Sequence, residues 1–449
     1  MDVLQQADQE GLDPNDYHLK ALHRYLAQTK INFVVVDNLL KDALFRYVKD
    51  ISGIIPAKVE DEPVYWKIQT DKKKLNQKIQ ELLTAPELKP ALEDLLPKDP
   101  RYSGLKKALN TYKNLAEHGE WSPIPSGSKL KKGDRGERVS LLKKRLKIAG
   151  DDFFDENLEK ALRHFQQGHG LEADGLVGRE TLEELNVPLK ARIHQIQMNL
   201  ARLRWLPRDL GERHIFVNIP DFHLEVIDHG KVVFTSKIVV GLKKDWQTPL
   251  VSSRITHLVI NPTWTVPPKI IEEEILEKIQ EDPEYLTKEK MKVFRQSGET
   301  LEEVDPSSLT GHKVPLEELQ VVQKEGDGNA LGRIKFLFPN PYSIYLHDTS
   351  QRMLFGSRQR ALSHGCVRVE KPNELALLLL QAEGDWNEKK LNRLIKTKKT
   401  RYLKLSHPVD VHVFYLTAWV NNEEGTIQFR KDIYQKDLLI PKAVNTLQK

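Results

Sequence analysis

One cysteine stands in a chain of 449 residues, in the stretch Ser363-His364-Gly365-Cys366-Val367-Arg368. A free thiol is little ionised at neutral pH, so a reacting cysteine needs a base nearby. Two histidines qualify. His364 lies just before Cys366, and His347 ends the stretch YSIYLHD, with 15 residues between it and Ser363. If these stretches are adjacent paired strands, His347 comes beside the sulfur. Alternation then puts Tyr345 and His347 on one face and Ile344 and Leu346 on the other. Gly365 permits close backbone approach, and consecutive N–H groups around it suit an oxyanion hole for acyl transfer. Arg368 faces the same way as Cys366 on a strand and fits a substrate carboxylate or a neighbouring acid. A buried, inert cysteine is the plain alternative. A zinc site is another, although nothing else in the chain has ligand spacing.

These residues need a frame, and from Arg213 the hydrophobic pattern turns to period two. HIFVNI is followed by FHLEVID, where Phe222, Leu224 and Val226 share a face, and DHGK (228–231) supplies a hairpin turn before VVFTSKIVVG. Further strands are expected at 254–261, 342–348, 365–369, 408–420 and 426–430. Between Trp264 and about Leu331 the strand pattern stops. KIIEEEILEKIQ (269–280) reads as an acidic helix and KEGDGNALG (324–332) as a mobile, glycine-rich segment. An insertion of this length suits a lid or binding loop as well as a cover over a sheet edge.

Residues 1–120 read as a helical packing module without chemistry of its own. Leu75, Ile79 and Leu82 form one apolar stripe, and Leu105, Leu109 and Tyr112 another. Asp37 is the expected N-cap of NLLKDALFRYV. WSPIPSGSKLKKGDRG (121–136) reads as a linker. Three short helices should follow, carried by Val139, Leu142 and Leu146, by Leu158, Leu162 and Phe165, and by Leu182 and Leu185. A further helix with Ile193, Ile196, Leu200 and Leu203 on one face leads into the strands.

Composition bounds the function class. Hydrophobic residues at 39% and charged residues at 30% describe a soluble globular protein, long enough for two or three domains. The formal charge is only +5, spread along the chain. That disfavours nucleic acid and leaves a weakly acidic polymer compatible. A lone cysteine excludes an intrachain disulfide. The longest apolar runs, such as LALLLL (375–380), are far short of a membrane span, and no signal-peptide pattern opens the sequence.

The stretch YLHDTSQRMLFGSRQRALSHGCVRVEKP (345–372) resembles the signature of YkuD-type L,D-transpeptidases: a histidine, a spacer, then Ser/Thr-His-Gly-Cys and a hydrophobic-Arg pair. His347, Ser363, His364, Gly365, Cys366 and Arg368 fill its positions. LKKGDRGERVSLLKKRLKIAG and FDENLEKALRHFQQGHGLEADGLVGRETLEEL resemble a three-helix peptidoglycan-binding module. FPNPYSIYLHD and YLTAWVNNEEGTIQFRKDIY resemble the large, multidomain, YcbB-like branch of the family.

The resemblance implies a multidomain α+β fold. It comprises a helical scaffold (1–120), a three-helix peptidoglycan-binding bundle (127–188) and a linking helix (189–212) packed on the scaffold. A mainly β catalytic domain (213–440) follows, carrying a lid inserted at about 265–330. Cys366 would attack the amide between meso-diaminopimelate and the terminal D-Ala of a stem tetrapeptide and release D-Ala. The side-chain amine of a second stem would then take the acyl group in a 3→3 crosslink. His347 would be general acid/base, oriented by the backbone carbonyl of Asp348. The backbone around Ser363, His364, Gly365 and Cys366 would support the oxyanion, and Arg368, Tyr345 and Trp264 would line the substrate cleft. No metal or organic cofactor is implied. The implied partners are peptidoglycan stems and glycan strands, with carbapenem β-lactams as covalent inhibitors. The implied location is the periplasm or cell envelope, with an export signal or anchor upstream of Met1. The rival readings are a cysteine acyltransferase or hydrolase acting on stems, such as an L,D-carboxypeptidase or a protein–wall attachment enzyme, and a non-catalytic wall-binding protein.

Overall fold

The computed structural model describes residues 1–53, 64–65, 72–242, 245–298, 300–309, 315–421 and 424–437. The chain divides into two compact units, Met1–Asp209 with Tyr415–Lys449, and Leu210–Phe414.

The first unit is mainly helical. Asn32 caps α1 (Phe33–Ile51), its side chain accepting the Val35 N–H at 3.3 Å. The helix therefore begins before Asp37, the expected cap, which lies inside it and pairs with Lys41 at 2.6 Å. The run Val34-Val35-Val36 has weak helix propensity, and burial of Val36, Ala43, Tyr47, Val48 and Ile51 outweighs it. α2 (Pro100–Glu117) opens with Asp99 accepting the Arg101 N–H at 2.8 Å and with proline in its first turn. α3 (Glu137–Leu146), α4 (Glu156–Gly168) and α5 (Arg179–Leu185) share a core that includes Val139, Leu142, Phe154, Leu158, Leu162 and Leu185.

α6 (Leu189–Trp205) is buried through its last turns. The Arg204 guanidinium there donates to the Glu10 carbonyl at 2.7 Å and to the Tyr102 hydroxyl at 3.2 Å, so its buried charge is satisfied. Asn199 on α6 exchanges hydrogen bonds with Thr417, at 2.7 Å to the hydroxyl and 2.9 Å from the main chain. Arg202 forms a buried ion pair with Asp437. These contacts gather the chain from Tyr415 onward into the first unit. The strand expected over 408–420 therefore ends at Phe414, and Ala418–Val420 pairs separately with Ile427–Phe429. As a packing unit, the region expected at 213–440 stops at Phe414.

The second unit is a sheet. β1 (Arg213–Asn218), β2 (His223–Asp228) and β3 (Lys231–Gly241) form a meander. His229 and Gly230 between the last two strands both have positive φ, 48° and 76°, as a type I′ hairpin turn requires. β4 (Leu250–Ile260) follows. The inserted region is not strandless as the pattern suggested. β5 (Trp264–Thr265), β6 (Met291–Ser297), β7 (Thr300–Val304) and β8 (Leu319–Gln323) form their own sheet in the order β5–β8–β6–β7. Its core includes Ile271, Ile275, Leu286, Val293 and Val321. The acidic helical stretch runs as Pro268–Ile270, a π turn at Ile271–Ile275, and Leu276–Glu281.

β9 (Ile334–Leu337), β10 (Leu346–His347), β11 (Ala361–Ser363), β12 (Val367–Val369) and β13 (Arg401–Phe414) complete the unit. The pairing order β4–β9–β10–β12–β3–β2–β1–β13 returns to β4, so the sheet closes on itself. The segment 324–332, read as mobile, is tied down. Asn329 is buried, its side chain donating to the Lys324 carbonyl at 2.8 Å and accepting the Leu331 N–H at 2.8 Å. Among the described residues no helix is long and apolar enough to cross a membrane.

Candidate active site

Three short strands set the site by register. β10 pairs antiparallel with β9 and parallel with β12, which puts Lys335, His347 and Arg368 in one cross-strand row. The adjacent row is Phe336, Leu346 and Val367, all fully buried. The pleat thus sends the apolar row to the core and the basic row to the opposite face. β10 is shorter than the expected strand at 342–348. Ser343 has φ of 54°, and the Asn340 side chain accepts the Tyr342 and Ile344 N–H groups at 3.1 Å while donating to the Ile344 carbonyl at 2.8 Å. Backbone groups engaged by a side chain are lost to the ladder.

Cys366 precedes β12, and its loop is clamped on several sides. The Ser363 hydroxyl donates to the Cys366 carbonyl at 2.6 Å and accepts the Gly365 N–H at 3.2 Å. The Gly365 carbonyl accepts from the Thr248 hydroxyl at 2.9 Å, and Thr248 in turn accepts the Gly241 N–H at 2.8 Å. Gly365 has φ of 108°, a conformation essentially reserved for glycine. Its N–H is spent inside the loop, which departs from its expected place among the oxyanion donors. The cause is local, because Ser363 is close enough to claim it.

His347 is nearly buried, and its Nδ1 lies 2.5 Å from the Asp348 carbonyl. A carbonyl only accepts, so Nδ1 carries the proton and Nε2 keeps its lone pair. The Asp348 side chain points elsewhere, accepting the Arg333 N–H at 2.8 Å and bonding Arg352 at 3.2 Å. A Cβ on Gly332 would meet that carboxylate at 2.3 Å, which explains the glycine there.

A cleft of about 540 Å³ brings the two segments together. Cys366, His347, Tyr345 and Arg368 line it from the sheet, and Trp264 and Glu274 from the insertion. Ser363 and His364 also line it, whereas Asp348 and Gly365 support it from behind. The His364 Nε2 is bonded to the Glu274 carboxylate, and its ring meets the Trp246 ring edge-on at 4.7 Å. Arg368 donates to the Gln351 side chain at 2.5 Å, while its buried Nε has no partner among the described residues.

The electrostatics favour a neutral pair. Burial pushes the Cys366 thiol pKa up; hydrogen bonds from the Tyr345 main chain and hydroxyl and the charges of Lys335 and Arg368 oppose it. Burial pushes His347 down to about 3, helped by Arg368 and Lys335 and opposed by the Asp348 carbonyl. Burial also raises Tyr345, as does the neighbouring Cys366 sulfur, while the Trp264 indole opposes the rise. Such an arrangement holds a thiol, a free imidazole lone pair and hydrogen-bond donors in one enclosed space. These are the parts of nucleophilic acyl transfer.

Sequence reasoning missed Lys335, Glu274, Gln351 and Thr248. Only Lys335 carried a signal, as the one charged residue in the apolar strand Ile334-Lys335-Phe336-Leu337. Glu274 sits among three consecutive glutamates, all inside the π turn, and only its tertiary contact with His364 singles it out. Among the described residues no group of three or more His, Cys, Asp or Glu stands together to hold a metal ion.

Residues 212–396 match the family model of the L,D-transpeptidase catalytic domain, YkuD. Residues 135–185 match that of a "Putative peptidoglycan binding domain", and residues 1–109 that of a Scaffold domain. A Haemophilus influenzae protein described as a "Putative L,D-transpeptidase" is 36% identical over 257 residues, or 57% of this chain and 50% of that protein. The chain thus spans about half the length of the curated relative it matches. Crystal structures of L,D-transpeptidases from Xylanimonas cellulosilytica (15% identity, 65% of this chain and 99% of that one, TM-score 0.20) and Stackebrandtia nassauensis (14%, 65% and 97%, 0.25) are also similar, too remotely to bear on the site. The chain therefore carries a YkuD-type L,D-transpeptidase catalytic domain, preceded by a peptidoglycan-binding domain.

Proposed function

We propose that this protein crosslinks peptidoglycan through a thioester on Cys366. The reading is carried by one observation: the only thiol of the chain and a histidine held as a free base by the Asp348 carbonyl line the same cleft. Cys366 attacks the carbonyl of the L,D-amide in a donor tetrapeptide stem, and His347 Nε2 takes the thiol proton. The same proton passes to the departing D-Ala amine as the thioester forms. The N–H groups of His364 and Cys366 are the oxyanion donors, Gly365 being engaged by Ser363. Arg368 faces the donor carboxylates.

The second half-reaction asks for a neutral base. The side-chain amine of an acceptor diaminopimelate must lose a proton as it attacks, and the His347 Nε2 lone pair, left free because Nδ1 donates to the Asp348 carbonyl, accepts it. The amine attacks the thioester carbon, the carbon–sulfur bond breaks, and a 3→3 crosslink leaves with the thiol restored. Water is the competing acceptor. The insertion, folded around its own core and contributing Trp264 and Glu274 to the cleft, serves to exclude it. The peptidoglycan-binding domain raises the local concentration of stems. A cell-envelope location, in the periplasm, and membership of the YcbB-like branch follow from this reading, and the Scaffold match over 1–109 is consistent with them.

A carbapenem tests the thiol chemistry, since its strained carbonyl acylates the same sulfur. Intact mass spectrometry should find one adduct, lost in Cys366→Ala; an unmodified protein that takes up no adduct sinks the proposal. Muropeptide analysis with tetrapeptide stems then separates crosslinking from hydrolysis. If deleting the insertion leaves that ratio unchanged, its assigned purpose is wrong.

A further inference from the structure

Lys335 has no assigned role, yet it stands beside the reacting groups. Register puts it directly across from His347 on the cleft face of the sheet. Its ammonium lies 3.7 Å from the centre of the Tyr345 ring, which lines the same cleft as Cys366 and His347. Among the described residues no carboxylate forms an ion pair with it. An ammonium without a counterion in a half-buried position is costly, and the ring face compensates only partly. Such a charge is kept where it acts on a neighbour.

We propose that Lys335 is a positioning residue of the active site: its ammonium, set against Tyr345 and in register with His347, stabilises negative charge on the Cys366 sulfur. The inference rests on the proposed nucleophilic role of Cys366. It adds the source of the field.

The charged and titratable groups at the cleft are Lys335 from β9, Tyr345 and His347 from the β10 segment, His364 from the loop before Cys366, Arg368 from β12, and Glu274, Lys278, Tyr285 and Glu289 from the insertion. Glu274 acts on Arg368. Lys335 and Arg368 act in the same direction. Each favours the thiolate, and each favours the free imidazole. A stabilised sulfur anion helps both to form and to break the thioester. Lys335 differs from Arg368 in lying behind Tyr345, not on the cleft surface, so it influences the chemistry without contacting substrate.

The test needs no peptidoglycan. Because the chain has a single cysteine, iodoacetamide reports Cys366 alone: the thiolate attacks the methylene carbon and iodide departs. In the full chain, Lys335→Met should move the midpoint of the alkylation-rate profile to higher pH by about half to one pH unit. At pH 7 the rate should fall roughly 3–10-fold. Lys335→Arg, which retains charge, should recover most of that rate. Lys335→Gln is run beside Lys335→Met, so that a folding failure of one variant does not decide the matter. A Met or Gln profile that superposes on the unsubstituted one overturns the proposal. So does an arginine variant as impaired as the methionine one, since shape and not charge would then be at work. A shifted profile in a protein that forms no crosslinks refutes the proposed function and leaves Lys335's role standing.

Discussion

Replacing Asp348 by asparagine separates two ways of orienting His347. In many triads a carboxylate holds the imidazole; here a main-chain carbonyl does, at 2.5 Å from Nδ1, and any residue at 348 supplies it. The carboxylate has other duties. One oxygen accepts the Arg333 N–H at 2.8 Å, and the other meets Arg352 at 3.2 Å. The asparagine oxygen keeps the first bond. Its amide then faces the guanidinium and loses the second. Arg352 has a side chain 50% exposed and also donates to the Glu370 carbonyl, so it keeps a partner, and a half-exposed pair of that kind is worth about 0–1 kcal/mol. Burial already raises the Asp348 pKa, so removing its charge offsets part of that loss. Stability in urea should change by less than about 1 kcal/mol. The rate of acylation by a carbapenem, followed by intact mass, should stay within about fivefold, the equivalent of about 1 kcal/mol. His347→Ala should instead lose roughly 10²–10⁴-fold, the usual worth of a general base. If Asp348→Asn falls into that second range with its fold intact, the carboxylate orients the imidazole and the reasoning is wrong.

Gly365→Ala probes the loop without a steric clash. A Cβ there would meet only the Gln247 and Trp246 carbonyls at 3.8 Å. The cost is therefore the φ of 108°, about 1–3 kcal/mol of backbone strain. If the loop relaxes by moving Cys366, acylation should slow by roughly 5–100-fold; a full rate with unchanged stability would contradict this account. The pH dependence follows from the buried imidazoles. With His347 pushed down to about 3, acylation should show no acid limb between about pH 6.5 and 4, and a midpoint near 6.5 would refute the free-base assignment. His169, also pushed down to about 3 by burial, acts in the same direction on stability. Both histidines are neutral in the fold and titrate near 6.5 when unfolded. Their contribution is complete above about pH 6.5 and is lost as pH falls toward 3, which acid unfolding with and without His169→Phe would measure.

That Cys366 and His347 should share one cleft was legible, because the expectation rests on residue type and short spacing. Alternation exposed the meander from Arg213, and the His-Gly pair marked its tight turn, since strand period and turn torsions are local properties. The stripes of Leu105 and Leu109, and of Leu158 and Leu162, were legible for the same reason. Pairing partners and register are different. They depend on which surfaces are buried together, so nothing near Lys335 reveals that it stands across from His347, or near Glu274 that it meets His364. The sheet within the insertion escaped notice because its strands Thr300–Val304 and Trp264–Thr265 are too exposed or too short to alternate clearly. Asn340 truncates β10 through a side chain that lies outside the strand. Tyr415 leaves the sheet because Asn199 and Arg202, more than two hundred residues earlier in the chain, hold the segment that follows it. Residue types were enough to name the thiol and the imidazole that line the cleft. Burial and long-range pairing set the field around them.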